Sequence, residues 1–252
     1  MKALSNSKDC KNCGSDHKAR PLCVYENGEY CFSCGYTRTV HQWTVEQRVA
    51  SRPEFPDSTN RLEQFSLEAQ MWLAKYDVGQ KLISKHKIHY CEDNSLIFPA
   101  FGEDGMLQCY QKRNMKERFI TTSGDKKPLL LTNESNSSII VLVEDFISAI
   151  RVNDAGYNSL CLFGTKLAYD EIDMQLKKFE TILVWLDNDK TKKVNSGQEA
   201  AKKIIKLAEH LLYKKYAFSF DKSVKNIATE FDPKCFVKSK INKIIEGTLS
   251  NE

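Results

Sequence analysis

Apolar positions fall into blocks of two different periods along the 252-residue chain. Ser138–Val143 is a β-branched, almost wholly apolar run, the pattern of a strand buried on both faces. Asn158–Phe163 and Thr181–Leu186 read as further buried strands. Between them, Asp145–Asn153 and Tyr169–Phe179 have helical character. Ser196–Leu212 predicts a long helix, with Ser196 as N-cap and Ala200, Ile204, Ile205, Ala208 and Leu212 on its inner face. Strands and helices alternating with short connections predict an α/β fold, a parallel doubly wound sheet flanked by helices.

The upstream pattern is different. Apolar residues of Ser66–His86 recur at mixed spacings of three and four, predicting one or two amphipathic helices interrupted near Gly79. Leu96–Phe101 and Met106–Gln111 read as strands of a hairpin turned at Gly102-Glu103-Asp104-Gly105, with Pro99 arguing for an edge position. Near the start, Pro21–Tyr25 and Glu29–Phe32 are strand-like pieces joined by Glu26-Asn27-Gly28. Ser51–Asn60 holds two prolines among polar residues and reads as a linker. The expected organisation is a small domain over 1–49, a linker over 50–61 and a larger domain over 62–252. The larger one divides into an α+β subdomain, 62–135, and the parallel-sheet subdomain, 136–252.

Composition adds boundaries to this picture. Hydrophobic residues make up 41% and charged residues 28%, as in ordinary globular chains. A net charge of +4 is mild, so any site for a polyanion must come from local clustering. No apolar run reaches the ~18 residues of a membrane span, and Met1–Lys8 is polar, which leads to the expectation of a cytoplasmic protein. Nine cysteines without a secretory signal suit metal binding better than disulfides.

Cys10-x2-Cys13 and Cys31-x2-Cys34 are separated by 17 residues, the spacing of a four-cysteine zinc site. Four thiolates close a tetrahedron and leave no position for substrate, so this Zn²⁺ would be structural. It would also staple a piece too small to bury a core. Cys23 and His17 lie between the pairs as substitute ligands. Tyr25, Asn27, Glu29 and Tyr30 line the hairpin and its tip, where aromatic faces can stack on unpaired bases or simply cover the zinc.

The acidic residues carry the chemistry. Glu144 follows the first buried strand directly, and Asp187 and Asp189 follow the third. In a parallel sheet such groups gather where strands end. Three carboxylates at one sheet edge suit Mg²⁺ or Mn²⁺, which keep waters and bridge to phosphates. Asp-x-Asp after a strand also suits a solvated turn. A metal site of this kind and a zinc module in one polypeptide point to nucleotide chemistry directed by a nucleic-acid template.

Val143-Glu144-Asp145-Phe146-Ile147-Ser148-Ala149-Ile150 together with Trp185-Leu186-Asp187-Asn188-Asp189 resembles a TOPRIM domain. With the N-terminal zinc ribbon and the strand pair, residues from Cys10 to Cys235 resemble the primase half of phage primase–helicases. The resemblance implies that Glu144, Asp187 and Asp189 hold catalytic metal. Ser148 stands where many TOPRIM sequences carry a second acid, and the hairpin tip lacks the histidine that relatives tend to carry. The family's basic run, which grips nucleoside triphosphates and template, is similar to Gln111–Lys127 here, with Lys112, Arg113, Lys116 and Arg118 as the phosphate-binding candidates and Lys166 as a further one. Forked guanidinium donors and ammonium charges suit phosphate oxygens, although such a run also reads as a solvated loop.

Together these features lead to the expectation of a DNA primase that builds short RNA primers from ribonucleoside triphosphates on single-stranded DNA. No Gly-x4-Gly-Lys-Ser/Thr loop occurs, so unwinding would need a separate replicative helicase. A TOPRIM nuclease and a non-catalytic recombination mediator are the rival readings.

Overall fold

The computed structural model describes residues 5–7, 22–25, 28–31, 37–39, 53–102, 104–117, 120–136, 138–165, 175–188, 195–215 and 223–250, with backbone alone for 5–39 and 207–215. The chain divides into two units, Met1–Ser51 and Arg52–Glu252.

The first unit contains an antiparallel sheet of β1 (Ser5–Ser7), β2 (Leu22–Tyr25), β3 (Gly28–Cys31) and β4 (Thr37–Thr39), in that order. Its hairpin pairs Tyr25 with Gly28 and Leu22 with Cys31. Cys10, Cys13, Cys34 and Asn27 lie outside the described residues, as do the side chains of Tyr25, Glu29, Tyr30 and Cys31.

The second unit begins with two short helices, α1 (Leu67–Lys75) and α2 (Gln80–Lys85), separated around Gly79 as the periodicity predicts. Ser66 caps α1 by accepting from the Ala69 amide. A meander follows: β5 (His89–Cys91), β6 (Ser95–Phe101), β7 (Leu107–Asn114) and β8 (Ile120–Gly124). Here Pro99 corrects an expectation, because β6 lies between β5 and β7 and is not an edge. The β5 ladder ends at Ile97, however, so the missing amide hydrogen falls beyond the reach of that neighbour. The supposed linker is also corrected. Thr59 bridges Tyr90, and Phe55 sets its ring 4.7 Å from His89. A ring contact and two backbone hydrogen bonds tie Phe55 and Thr59 to the sheet that holds β5.

The other sheet has the order β13-β12-β10-β11-β9, built from β9 (Leu129–Leu131), β10 (Ile139–Val143), β11 (Asn158–Cys161), β12 (Thr181–Val184) and β13 (Ser223–Asn226). All its pairs are parallel except the antiparallel edge β9–β11. Since β9 belongs to this sheet, the sheet begins ahead of the expected subdomain boundary at 136. Helices α3 (Phe146–Asp154), α4 (Ser196–Lys215) and α5 (Lys238–Ser250) complete it. Asn195, rather than Ser196, caps α4, accepting from the Gln198 amide. The helix expected over Tyr169–Phe179 lies mostly outside the described residues.

Strand pleating explains why β10 is apolar throughout. Its Val141 and Val143 enter one core with Ile147, Ile150 and Ile245, while Ile140 and Leu142 enter the other with Ala201 and Ile204. The first core continues without a break into α1, α2 and β6 through Leu73, Ile83 and Phe98. The meander and the parallel sheet therefore share one interior, which fixes their relative placement.

Candidate metal and nucleotide site

The chain leaves β10 toward β11 on one side and β12 toward β13 on the other, so β10 and β12 flank a switch point. Ligand sites of open α/β sheets form at the carboxyl ends of such strands. Glu144 and Asp145 follow β10, Asp187 follows β12, and Asp232 lies beyond the end of β13. One carboxylate oxygen each from Asp145, Asp187 and Asp232 lies within 4.8 Å of the others. All three residues are half-buried.

Each acid is held from below. Asp145 caps α3, its Oδ1 accepting from the Ser148 amide at 3.1 Å and its Oδ2 from the Ser148 hydroxyl at 2.8 Å. Ser148 is buried and serves as the partner of Asp145, not as a substitute acid facing the site. The Asp187 loop is pinned by amides. Gln198 Nε2 donates to the Leu186 carbonyl at 3.1 Å, and Asn188 donates to the Thr229 carbonyl at 3.1 Å while accepting from Asn195 at 2.8 Å. The segment bearing Asp232 is tied on both sides. Before it, Trp185 Nε1 donates to Thr229 Oγ1 at 2.7 Å; after it, the buried Arg151 donates to the Phe236 carbonyl at 3.3 Å. Asp232 then starts a short helical turn, Pro233–Cys235, with Pro233 presetting its backbone.

Lys234 closes the cluster. Its Nζ lies 2.8 Å from Asp145 Oδ2 and 2.8 Å from Asp232 Oδ2. Burial alone would lower this ammonium, but the charges of Asp145 and Asp232 outweigh it and hold the group above its ordinary value. Asp187 is pushed up to about 8 by burial, by its hydrogen bond with Asp232 and by the charges of Glu144 and Asp232. A carboxylic acid that retains its proton among other acids marks a place where negative charge is crowded beyond what the protein itself neutralises. Clustered carboxylate oxygens of this kind fit a hard divalent cation such as Mg²⁺.

Of the expected trio, Glu144 and Asp187 come close enough for the charge of one to raise the other. Asp189 lies outside the described residues. Among the described residues, the three oxygens within mutual reach are those of Asp145, Asp187 and Asp232, so Glu144 stands beside that group. Sequence reasoning missed Asp145, hidden as a helix cap, and Asp232, which follows a strand too polar to recognise.

A cleft of about 160 Å³ opens beside the acids, with Trp72, Tyr76, Gln111, Arg113, Asp145 and Lys234 among its walls. The Arg113 guanidinium lies 4.7 Å from the Trp72 ring centre, and its Nε is buried without a hydrogen-bond partner among the described residues. Strand alternation sends Gln111 and Arg113 into this cleft and sends Lys112 to the opposite face. There Lys112 pairs with Asp93 and lines a second cleft with residues 56–59. Lys116 is exposed on the turn after β7. Arg118 and Lys166 lie outside the described residues. Lys126, not singled out from sequence, brings its Nζ to 3.4 Å from where a Cβ on Gly164 would stand, in the turn after β11.

No protein-family model matches the chain, and no curated protein matches it by sequence. Solved structures do match it. The primase fragment of the bacteriophage T7 primase–helicase aligns at a TM-score of 0.52 and 15% identity, over 98% of this chain and 100% of that one. The zinc-binding and RNA polymerase domains of the Aquifex aeolicus primase align at 0.57 and 14% identity, over 98% and 80%. The DnaG catalytic core aligns at 0.58 and 12% identity, over 73% and 74%. At such identities the likeness establishes the fold, a mixed α/β architecture shared with these chains.

Proposed function

We propose that this protein, whose fold is that of the phage and DnaG primases, is a DNA primase that joins ribonucleoside triphosphates into short RNA on single-stranded DNA. The observation that carries the reading is the adjacency of the acids at the switch point to a cleft walled by Arg113, Lys234 and aromatic rings. Acids and cations side by side suit a substrate that brings both phosphate and its own metal.

Asp187 and Asp232, with Glu144 beside them, are the residues that would hold Mg²⁺ or Mn²⁺; Asp189 joins them from the sequence. Such an ion activates the attacking hydroxyl and neutralises charge on the phosphates in nucleotidyl transfer. Arg113 offers its donors to the triphosphate, while Trp72 and Tyr76 give a planar base a wall to lie against. Lys116 is a further phosphate-binding candidate, joined by Arg118 and Lys166 from the sequence. Cys10, Cys13, Cys31 and Cys34 would hold a structural Zn²⁺, and Tyr25, Asn27, Glu29 and Tyr30 would be the residues that meet template bases. The DnaG catalytic domain, a fold neighbour, is known bound to single-stranded DNA, which supports the choice of template. The T7 fragment belongs to a primase–helicase, which supports a helicase partner here.

Incubation with labelled ribonucleotides, Mg²⁺ and a panel of single-stranded templates tests the reading. Short oligoribonucleotides that vanish on chelation are expected. Shortened template would replace the reading with a nuclease, and tight DNA binding without any product with a mediator.

A further inference from the structure

We propose that Lys234 is a resident cation of the acidic site, occupying with its ammonium the place that a second divalent ion would need, so that the site takes a single ion. This rests on the metal-dependent reading above.

The contacts of the cluster are unevenly distributed. Asp145 has both oxygens engaged: Oδ1 accepts from the Ser148 amide, and Oδ2 accepts from the Ser148 hydroxyl and from Lys234. Asp232 turns its Oδ2 to the same ammonium at 2.8 Å. Two-ion sites hold their metals ~3.5–4 Å apart and bridge them with shared carboxylate oxygens. On the Asp145–Asp232 side that bridging position is filled by nitrogen. The other side, where oxygens of Asp187 and Asp232 lie within 4.8 Å of each other, is where one ion fits.

Lys234 is also fixed more firmly than a surface lysine. Its side chain is 21% exposed, Pro233 sets the backbone before it, and Arg151 holds the Phe236 carbonyl after it. The ammonium forms part of the wall of the Arg113 cleft as well. It therefore stands where a triphosphate would need positive charge and where a second ion would otherwise supply it. A lysine does this without dissociating, at the cost of one metal position.

Metal counting tests the proposal independently of synthesis. Zinc-replete protein is titrated with Mn²⁺ and the free ion followed by electron paramagnetic resonance, for the wild type, Lys234→Met and Lys234→Arg. One tightly bound Mn²⁺ is expected in the wild type and in Lys234→Arg. Lys234→Met should take up a second ion, or bind the first at least tenfold more tightly. The rise in melting temperature on adding Mn²⁺, read in parallel, should be larger for Lys234→Met than for the wild type, which keeps the comparison usable if that variant is weakened without metal. Two ions in the wild type overturn the proposal. So does Lys234→Met with one ion and less than a tenfold gain. Absence of bound Mn²⁺ from every variant removes the metal reading of the site itself, and this proposal with it.

Discussion

A Cβ placed on Gly197 would lie 2.1 Å from the carbonyl oxygen of Asp187. The first turn of α4 thus passes directly against the backbone that carries an acid of the cluster, and only hydrogen fits between them. Gly197→Ala should push that loop aside. We expect a loss of about 1–3 kcal/mol in urea unfolding and at least a tenfold fall in primer synthesis. Unchanged synthesis would mean that the loop has room to yield.

The raised Asp187 carboxyl couples folding to pH. Its ordinary value is 3.8 and its folded value about 8, so between these limits the folded state binds the extra proton. Metal-free stability should then fall as pH rises from about 4 to 8 and level off above. Mn²⁺ affinity should rise over the same window, because the ion requires the ionised form. Asp187→Asn should flatten the stability slope in thermal melts taken without divalent cations; a slope unchanged in that variant assigns the dependence to other groups.

Arg151 is buried, with Nη1 3.1 Å from Asp77 Oδ2 and Nη2 donating to the Phe236 carbonyl. Arg151→Lys keeps one charge and loses the fork. The orphaned carbonyl should cost about 1–3 kcal/mol, visible as a lower denaturation midpoint. Because the Asp232 segment loosens, Mn²⁺ binding should weaken as well, a change that a purely structural staple elsewhere would not produce.

Neighbouring residues on β7 should behave oppositely. Arg113→Ala should raise the nucleotide KM about tenfold, or about 1.4 kcal/mol, with the fold intact. Lys112→Ala removes an exposed pair worth about 0–1 kcal/mol and faces away from the acids, so its KM should stay at the wild-type value. Equal effects in the two variants would place nucleotide somewhere other than the Arg113 cleft.

The core strands were legible in the sequence for a physical reason. Most of β10 and of β12 is buried on both faces and hence apolar, so Glu144 and Asp187 could be located by where those runs stop. β13 reads Ser-Val-Lys-Asn and is mostly half-buried, a pattern that does not distinguish an edge strand from a loop. Asp232 was lost with it. Alternation along β7 separates Lys112 from Arg113, but which face meets the acids depends on the shared core of meander and parallel sheet. Phe55 and Thr59 look like linker residues because proline and polar neighbours surround them; their anchoring partners His89 and Tyr90 lie far along the chain.

Lys234 reaches back to Asp145 across 89 residues of chain. A growing polypeptide that has just folded β10 and α3 therefore carries a carboxylate whose cation has yet to be made. The acidic cluster is completed late in synthesis, once β13 and the Asp232 turn that follows it have been made. Nascent fragments that stop before that turn would lack both Asp232 and the Lys234 ammonium, however well the rest of their sheet had formed.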